Sequence, residues 1–312
     1  MFWLVLIAIY LVTDSAAMFI DNFVTDVHFK GRGSVAQKVF TGWSYTLFAV
    51  IMMAVLGAKI GEVSPWALFF LTLSGIIVSI SSIAYYRALE IEDSTDIAIF
   101  FQLAPILYLV FGWFVLGEKF SPTQLIAFAT ILAGPLLIVA GSRKNSRKTK
   151  LRAVVLVAIY VLIYTIGNIL FVKVNGGDAE IDFRVAMAFV FLGKGLGNLV
   201  LCYIIKPKWR KRFRRVVKES RGRVYFPLFV NSILCLVKDS TYRLALLTAP
   251  AVAIAAAAGD SLEPIVIFMM GIVLTLINPK LGREKLDRKT VVARLIATAC
   301  VVIGIFVLQI EL

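Results

Sequence analysis

Ten apolar stretches, each long enough to cross a bilayer, follow one another along the chain: residues 2–20, 36–57, 65–86, 95–116, 123–141, 153–173, 185–205, 225–247, 251–277 and 290–309. A hydrocarbon core about 30 Å thick takes roughly 20 helical residues. Backbone in lipid must satisfy its own hydrogen bonds, which leaves helices or a closed barrel. These runs lack the two-residue alternation of a barrel strand. The expected fold class is therefore an all-α polytopic membrane protein with ten transmembrane helices. Composition points the same way, with 60% hydrophobic and only 17% charged residues among 312, whereas soluble domains run near 45–50% and about 25%.

The net charge of +14 raises the question of nucleic acid, but the Lys and Arg fall in short connectors between apolar runs rather than along a groove-binding face. A nucleic-acid partner is not expected. The basic residues are unevenly shared between the two sides. Connectors after odd-numbered spans hold Lys30, Arg32, Lys38 and Arg87 and the basic runs within 143–152, 206–223 and 280–289; even connectors hold Lys59, Lys119, Lys173 and Arg184. The positive-inside rule then places odd connectors in the cytoplasm and both termini outside a plasma or inner membrane. Residues 2–20 have no positive leading segment and are interrupted by Asp14, so they are expected to stay as a first span. In the stretch from Lys206 to Arg223, Trp209, Phe213, Val216 and Val217 share one helical face. That pattern suits an amphipathic helix against anionic lipid headgroups, or a solvated topogenic loop.

Cys202, Cys235 and Cys300 are odd in number and lie in apolar runs, so they read as small hydrophobes. One His and three Cys give no basis for a His/Cys metal site. No nucleophile–base pair or paired catalytic acids stand out, so neither an enzyme nor a cofactor is expected.

The two halves of the chain match. Gln102-Leu103-Ala104-Pro105 precedes an apolar run ending LGEKF; Ser261-Leu262-Glu263-Pro264 precedes another, with a connector ending REKL. Pro105 and Pro264, Glu118-Lys119 and Glu284-Lys285, Gly134 and Gly304, and Tyr86-Arg87 and Tyr242-Arg243 take equivalent places. Five spans per copy is an odd number, so the second copy must enter the membrane from the opposite side. Such inverted repeats build many secondary transporters, with the substrate site between the repeats near midplane. The division expected is 1–142 and 153–312 as the repeats, with 143–152 as a basic linker.

The segment from Ala84-Tyr85-Tyr86-Arg87-Ala88-Leu89 through LAPILYLVFGWFVLGEKFSPTQLIAFATILAG resembles the EamA repeat of the drug/metabolite transporter superfamily, and residues 231–308 resemble it again with a longer connector. The resemblance implies a ten-helix permease with a central cavity lined chiefly by the first, third, fourth, sixth, eighth and ninth helices. Asp14, Gln102, Asn168, Asp239, Asp260 and Glu263 fall on those helices, whereas Lys194, in the seventh, does not. Members of the family are more often drawn with both termini cytosolic, opposite to the charge bias here.

Ionisable groups at bilayer depth are costly, so each must face protein or a wet cavity. A carboxylate in the first helix can take up and release a proton, as a proton-coupled carrier requires, and small multidrug exporters of the resembled superfamily use one this way. That makes Asp14 a proton-binding candidate; the alternative is an ion pair with Lys238 that only joins helices. Asp239 can reach Arg243 one turn on, leaving Lys238 to meet a carboxylate or phosphate. Asp260 and Glu263 are site residues if the ninth helix begins near Ala251, and helix caps if it begins at their own position. Gly193 and Gly197 read as a close helix contact. Pro105 and Pro264 are candidate hinges.

The function expected is secondary active transport of a small metabolite, driven by protons or by exchange, since no ATP-binding motif is present. Acids outnumber bases on the expected cavity helices, which favours amino-acid-like, cationic or zwitterionic cargo. Sugar-phosphate or lipid-linked cargo is the alternative within transport, and a scaffold or receptor the alternative outside it.

Overall fold

The computed structural model describes residues 2–92, 100–101, 103–130, 147–176 and 181–277, and single positions 292, 296, 299, 303, 304 and 307. Most of the tenth span, the fifth span past residue 130 and most of the linker lie outside these. The described chain is helical: α1 (Phe2–Phe23), α2 (Lys38–Ile60), α3 (Pro65–Leu89), α4 (Leu103–Phe111), α5 (122–130), α6 (Arg147–Asn175), α7 (Phe183–Val200), α8 (Pro207–Glu219), α9 (Tyr225–Thr248) and α10 (Val252–Ile277). Six helices among the described residues are long and apolar enough to cross a membrane. The 24-residue α9 has the length too, but carries Lys238, Asp239 and Arg243 in its middle.

Local sequence sets the helix ends. Pro65 occupies the first turn of α3, where its missing N–H costs nothing. Asp182 caps α7, accepting the Arg184 backbone N–H at 2.9 Å. Along α1, Phe2, Val5, Ile9 and Val12 face outward, while Leu6, Tyr10, Asp14, Ala17 and Asp21 are buried. The stripe is the helical period, but unlike a soluble protein the outward face is apolar, and the charged residues of the helix lie among apolar ones on the buried face. Leu47, Val50 and Ile51 on α2 and Phe226, Phe229 and Ile233 on α9 extend the same apolar exterior. A surface of that kind is matched to lipid chains.

The interior is held by close backbone approach as much as by side chains. A Cβ at Gly75 of α3 would lie 2.8 Å from the Lys194 backbone nitrogen on α7, and one at Gly197 would lie 3.0 Å from the Ser79 side chain. This is the small-residue packing expected for the Gly193 to Gly197 segment. The principal packings have counterparts five spans apart, some of them much less extensive, as for α9 on α2. α3 packs on α6 as α1 packs on α9; α3 meets α7 as α9 meets α2; α1 meets α10 as α6 meets α4. α2–α7 and α4–α10 are their own counterparts.

The helix in the 206–223 connector does form, as α8. Its apolar face rests on protein: Phe213 and Val216 are buried with Val24, Phe29, Val39 and Cys202. Arg212 donates to the Phe29 and Arg32 carbonyls, at 3.3 and 3.4 Å. Lys208, Lys211, Arg214, Arg215 and Lys218 face away from it. The helix thus covers the end of the bundle where α1 ends and α2 begins.

Candidate functional site: a polar cavity between the two halves

A cavity of about 680 Å³, counting the part open to solvent, lies between α1, α2, α3, α6, α7 and α9. Its wall takes Asp14, Met18 and Asp21 from α1, Lys38 and Tyr45 from the start of α2, Ser79 to Tyr86 from the second half of α3, Tyr160 and Tyr164 from α6, Lys194 and Asn198 from α7, and Lys238 and Asp239 from α9. These positions run from the middle of the helices to the end that carries the 29–33 connector and α8. The cavity is therefore offset toward the basic side of the protein.

Opposite charges meet across helices at its centre. Lys238 of α9 donates to the Asp14 carboxylate of α1. Asp239, one residue on, faces the other way: it accepts from Lys194 of α7 and from the Tyr45 hydroxyl of α2 at 2.7 Å, and lies 3.6 Å from Arg243. Arg243 is fully buried, its guanidinium over the Phe171 ring at 5.5 Å. Adjacent helix residues point about 100° apart, so Lys238 and Asp239 each serve a different neighbour. A buried charge without a counter-ion would be strongly destabilising, and each of these has one.

Beyond the cavity, toward the opposite end, the interior is filled. The Tyr10 and Tyr242 rings pack at a tilt of 34° with centroids 4.5 Å apart, and both hydroxyls donate to Asp260, at 3.4 and 3.1 Å. Tyr108 and Tyr164 each approach Tyr242 at 6.4 Å, and Asn168 donates to the Tyr108 hydroxyl at 2.8 Å. Glu263 is buried near Asp14 and Asp260. At that end Glu118 closes the start of α10 by accepting the Val252 N–H at 2.6 Å. The cavity thus lies on one side of this filled region.

Of the residues singled out in the sequence, Asp14, Lys238 and Asp239 line the cavity. Asn168, Asp260 and Glu263 belong to the plug and its border. α10 begins at Val252, so the two acids are mid-helix and not caps. The ion pair with Lys238, the structural alternative for Asp14, is formed. Pro105 stands in the first turn of α4 and Pro264 in the interior of α10; Gln102 lies outside the described residues. Sequence reasoning missed Lys194, set aside for its helix, Lys38, counted among the connector charges, and Asp21, which lay just past the first span and was not singled out. Their signal was charge in a helix that runs longer than its apolar core: α1 and the π-helical turn after it extend to His28. Tyr45, Tyr85 and Tyr160 gave no signal, because tyrosine is ordinary in such helices.

The described residues thus form a helical membrane protein with a charged cavity at its centre, large enough to admit a small molecule. The EamA-like transporter family matches residues 30–140. An uncharacterized transporter encoded in the cobO 3′ region of a Sinorhizobium species is 31% identical over 98 residues, covering 28% of this chain and 70% of that protein. This chain belongs to the EamA-like transporter family. A solved structure described only as a crystal structure of a protein shares the fold, with TM-score 0.61 at 15% identity over 97% of each chain.

Proposed function

We propose that this protein is a secondary active transporter built as two inverted five-helix repeats, residues 1–142 and 153–312 joined by the linker 143–152, which carries a small amino-acid-like, cationic or zwitterionic metabolite. The observation that carries the reading is the cavity itself, charged at its centre and plugged toward one end. The paired packings five spans apart support the repeat: interchanging the roles of the two halves would open the plugged side and close the other. Coupling follows from Asp14. Protonating it removes the attraction that Lys238 provides between α1 and α9, and Glu263 lies close enough for its charge to act on the same carboxylate. Cargo or exchange partner entering the cavity would compete for the same charges. Pro264, inside α10, removes one backbone hydrogen bond and is the hinge of that helix, and Pro105 in the first turn of α4 is its counterpart in the other half. The charge bias puts the cavity side in the cytoplasm and both termini outside, with the exposed lysines and arginines of α8 facing anionic headgroups.

The test is flux into proteoliposomes under an imposed pH gradient, screened over a metabolite library. Uptake of at least one amino-acid-like solute is expected, with gradient dependence lost in Asp14→Asn. A folded protein with no substrate-dependent flux of any kind would make it a scaffold or receptor. A reporter fused after Leu312 and active only in the cytoplasm would reverse the orientation alone.

A further inference from the structure

Two ionisable groups in the cavity wall, Asp21 and Lys38, form no ion pair among the described residues. Asp21, 5% exposed, receives only neutral donors: Asn231 at 2.8 Å, Tyr86 at 3.4 Å and the Gln37 amide at 3.5 Å. All three bonds end on Oδ1, and none reaches Oδ2. Lys38, 1% exposed, donates to the Ser79 carbonyl at 2.6 Å and to the Ser82 hydroxyl. An ammonium has three donors, so one is unused. Asp21 and Lys38 line the same cavity but form no ion pair with each other. Every other cavity charge is matched: Asp14 by Lys238, and Asp239 by Lys194 and Arg243.

We propose that Asp21 and Lys38 are the two poles of the substrate site, and that the ligand is a dipolar molecule carrying an ammonium and a carboxylate a few atoms apart. The ammonium meets Asp21 Oδ2 and the carboxylate meets the free Lys38 donor. A ligand with only one charge would satisfy one pole and leave the other buried and unpaired, which is costly in a site of low dielectric. A ligand with both charges satisfies each and leaves the net charge of the cavity unchanged. The rest of the wall decides what hangs from the dipole. Tyr85, Phe101 and Tyr160 form a continuous aromatic face, with centroid distances of 5.4 to 6.3 Å, and Met18 lines the same space. In this assignment the apolar part of the ligand lies against that face. The reach from Asp21 to Lys38 explains why the site needs α1 and α2 together: it straddles the connector that Arg212 of α8 ties down.

This assignment deepens the transport reading and rests on it for its purpose, but its test is a binding measurement. The purified full chain in lipid nanodiscs is titrated calorimetrically with L-leucine, with 3-methylbutylamine, which lacks the carboxylate, and with 4-methylpentanoate, which lacks the ammonium. Leucine is expected to bind at least tenfold more tightly than either analogue, because a buried polar group left unpaired is heavily penalised. Asp21→Asn should abolish the preference over 4-methylpentanoate alone, and Lys38→Met the preference over 3-methylbutylamine alone. Equal affinity for the three ligands, or no leucine binding to the unaltered protein, overturns the assignment; this comparison stands even where a variant fails to fold. Flux of another solute without leucine binding would leave the transporter reading intact and remove this site. Leucine binding without any flux would do the reverse.

Discussion

Lys238 on α9 donates to the carboxylate of Asp14 on α1, joining two residues 224 positions apart in the chain through the middle of the bundle. The pair joins two helices that flank the cavity. Removing one partner strands the other in a largely dehydrated site, which costs about 3–5 kcal/mol in buried pairs. Asp14→Asn should therefore destabilise the protein more than the double substitution Asp14→Asn with Lys238→Met. Thermal unfolding in lipid nanodiscs reads the difference; a double variant less stable than the single one would mean the pair contributes nothing beyond its parts.

Asp239 accepts from two neighbouring helices at once, through Lys194 and Tyr45, and pairs with Arg243 one turn along its own helix. Asp239→Asn leaves two buried cations facing a neutral amide, and a loss of roughly 3–5 kcal/mol is expected. Tyr45→Phe removes one neutral donor and should cost only about 1–2 kcal/mol. Comparing their unfolding midpoints checks the order.

Helix approach is as tight between α3 and α7 as charge is dense beside it. A Cβ at Gly193 would run into the Thr72 carbonyl and come within 3.1 Å of the Gly75 Cα. Gly193→Ala should cost about 1–3 kcal/mol as the helices are forced apart. Gly57→Ala in α2, where nothing lies within 4 Å, should be neutral or stabilising. The pair of variants separates steric packing from helix propensity.

Glu118 explains the Leu-Gly-Glu connector. Gly117 takes the left-handed conformation, φ 74°, that ends the preceding turn. Glu118 then folds back, its N–H on the Gly112 carbonyl at 3.0 Å and its carboxylate on the Val252 N–H. Burial pushes the Glu118 carboxyl above its usual 4.5, against the lowering effect of the Val252 and Ala253 N–H groups. The folded form therefore holds a proton that the unfolded chain has already lost. Stability from this group falls as pH rises from 4.5 through the raised value. Glu118→Gln keeps an acceptor and removes that dependence, so its unfolding midpoint should vary less with pH across the acid range. Glu118→Ala should lose about 1 kcal/mol of capping at the start of α10.

Much of this architecture is local and was legible along the chain. Run length and hydropathy define the spans, because lipid imposes one requirement on every stretch of backbone it surrounds. The Asp239–Arg243 contact, one helical turn apart, and the close packing of Gly193 to Gly197 are local or nearly so. The connector helix was legible from its apolar face, although that face turned out to be covered by protein.

What only the tertiary structure decided is which charges meet. Asp14 could have faced a substrate or a lysine, and nothing nearby in sequence chooses between them; the packing of α1 on α9 does. Lys194 stood on a helix not expected to line the cavity, Lys38 counted as a connector charge and Asp21 drew no notice, until folding put them in one cavity. Local hydropathy reports whether a segment can enter the membrane, since that is a transfer energy summed over neighbours. The identity of a counter-ion is a distance between segments far apart in sequence, and that is fixed when the helices assemble.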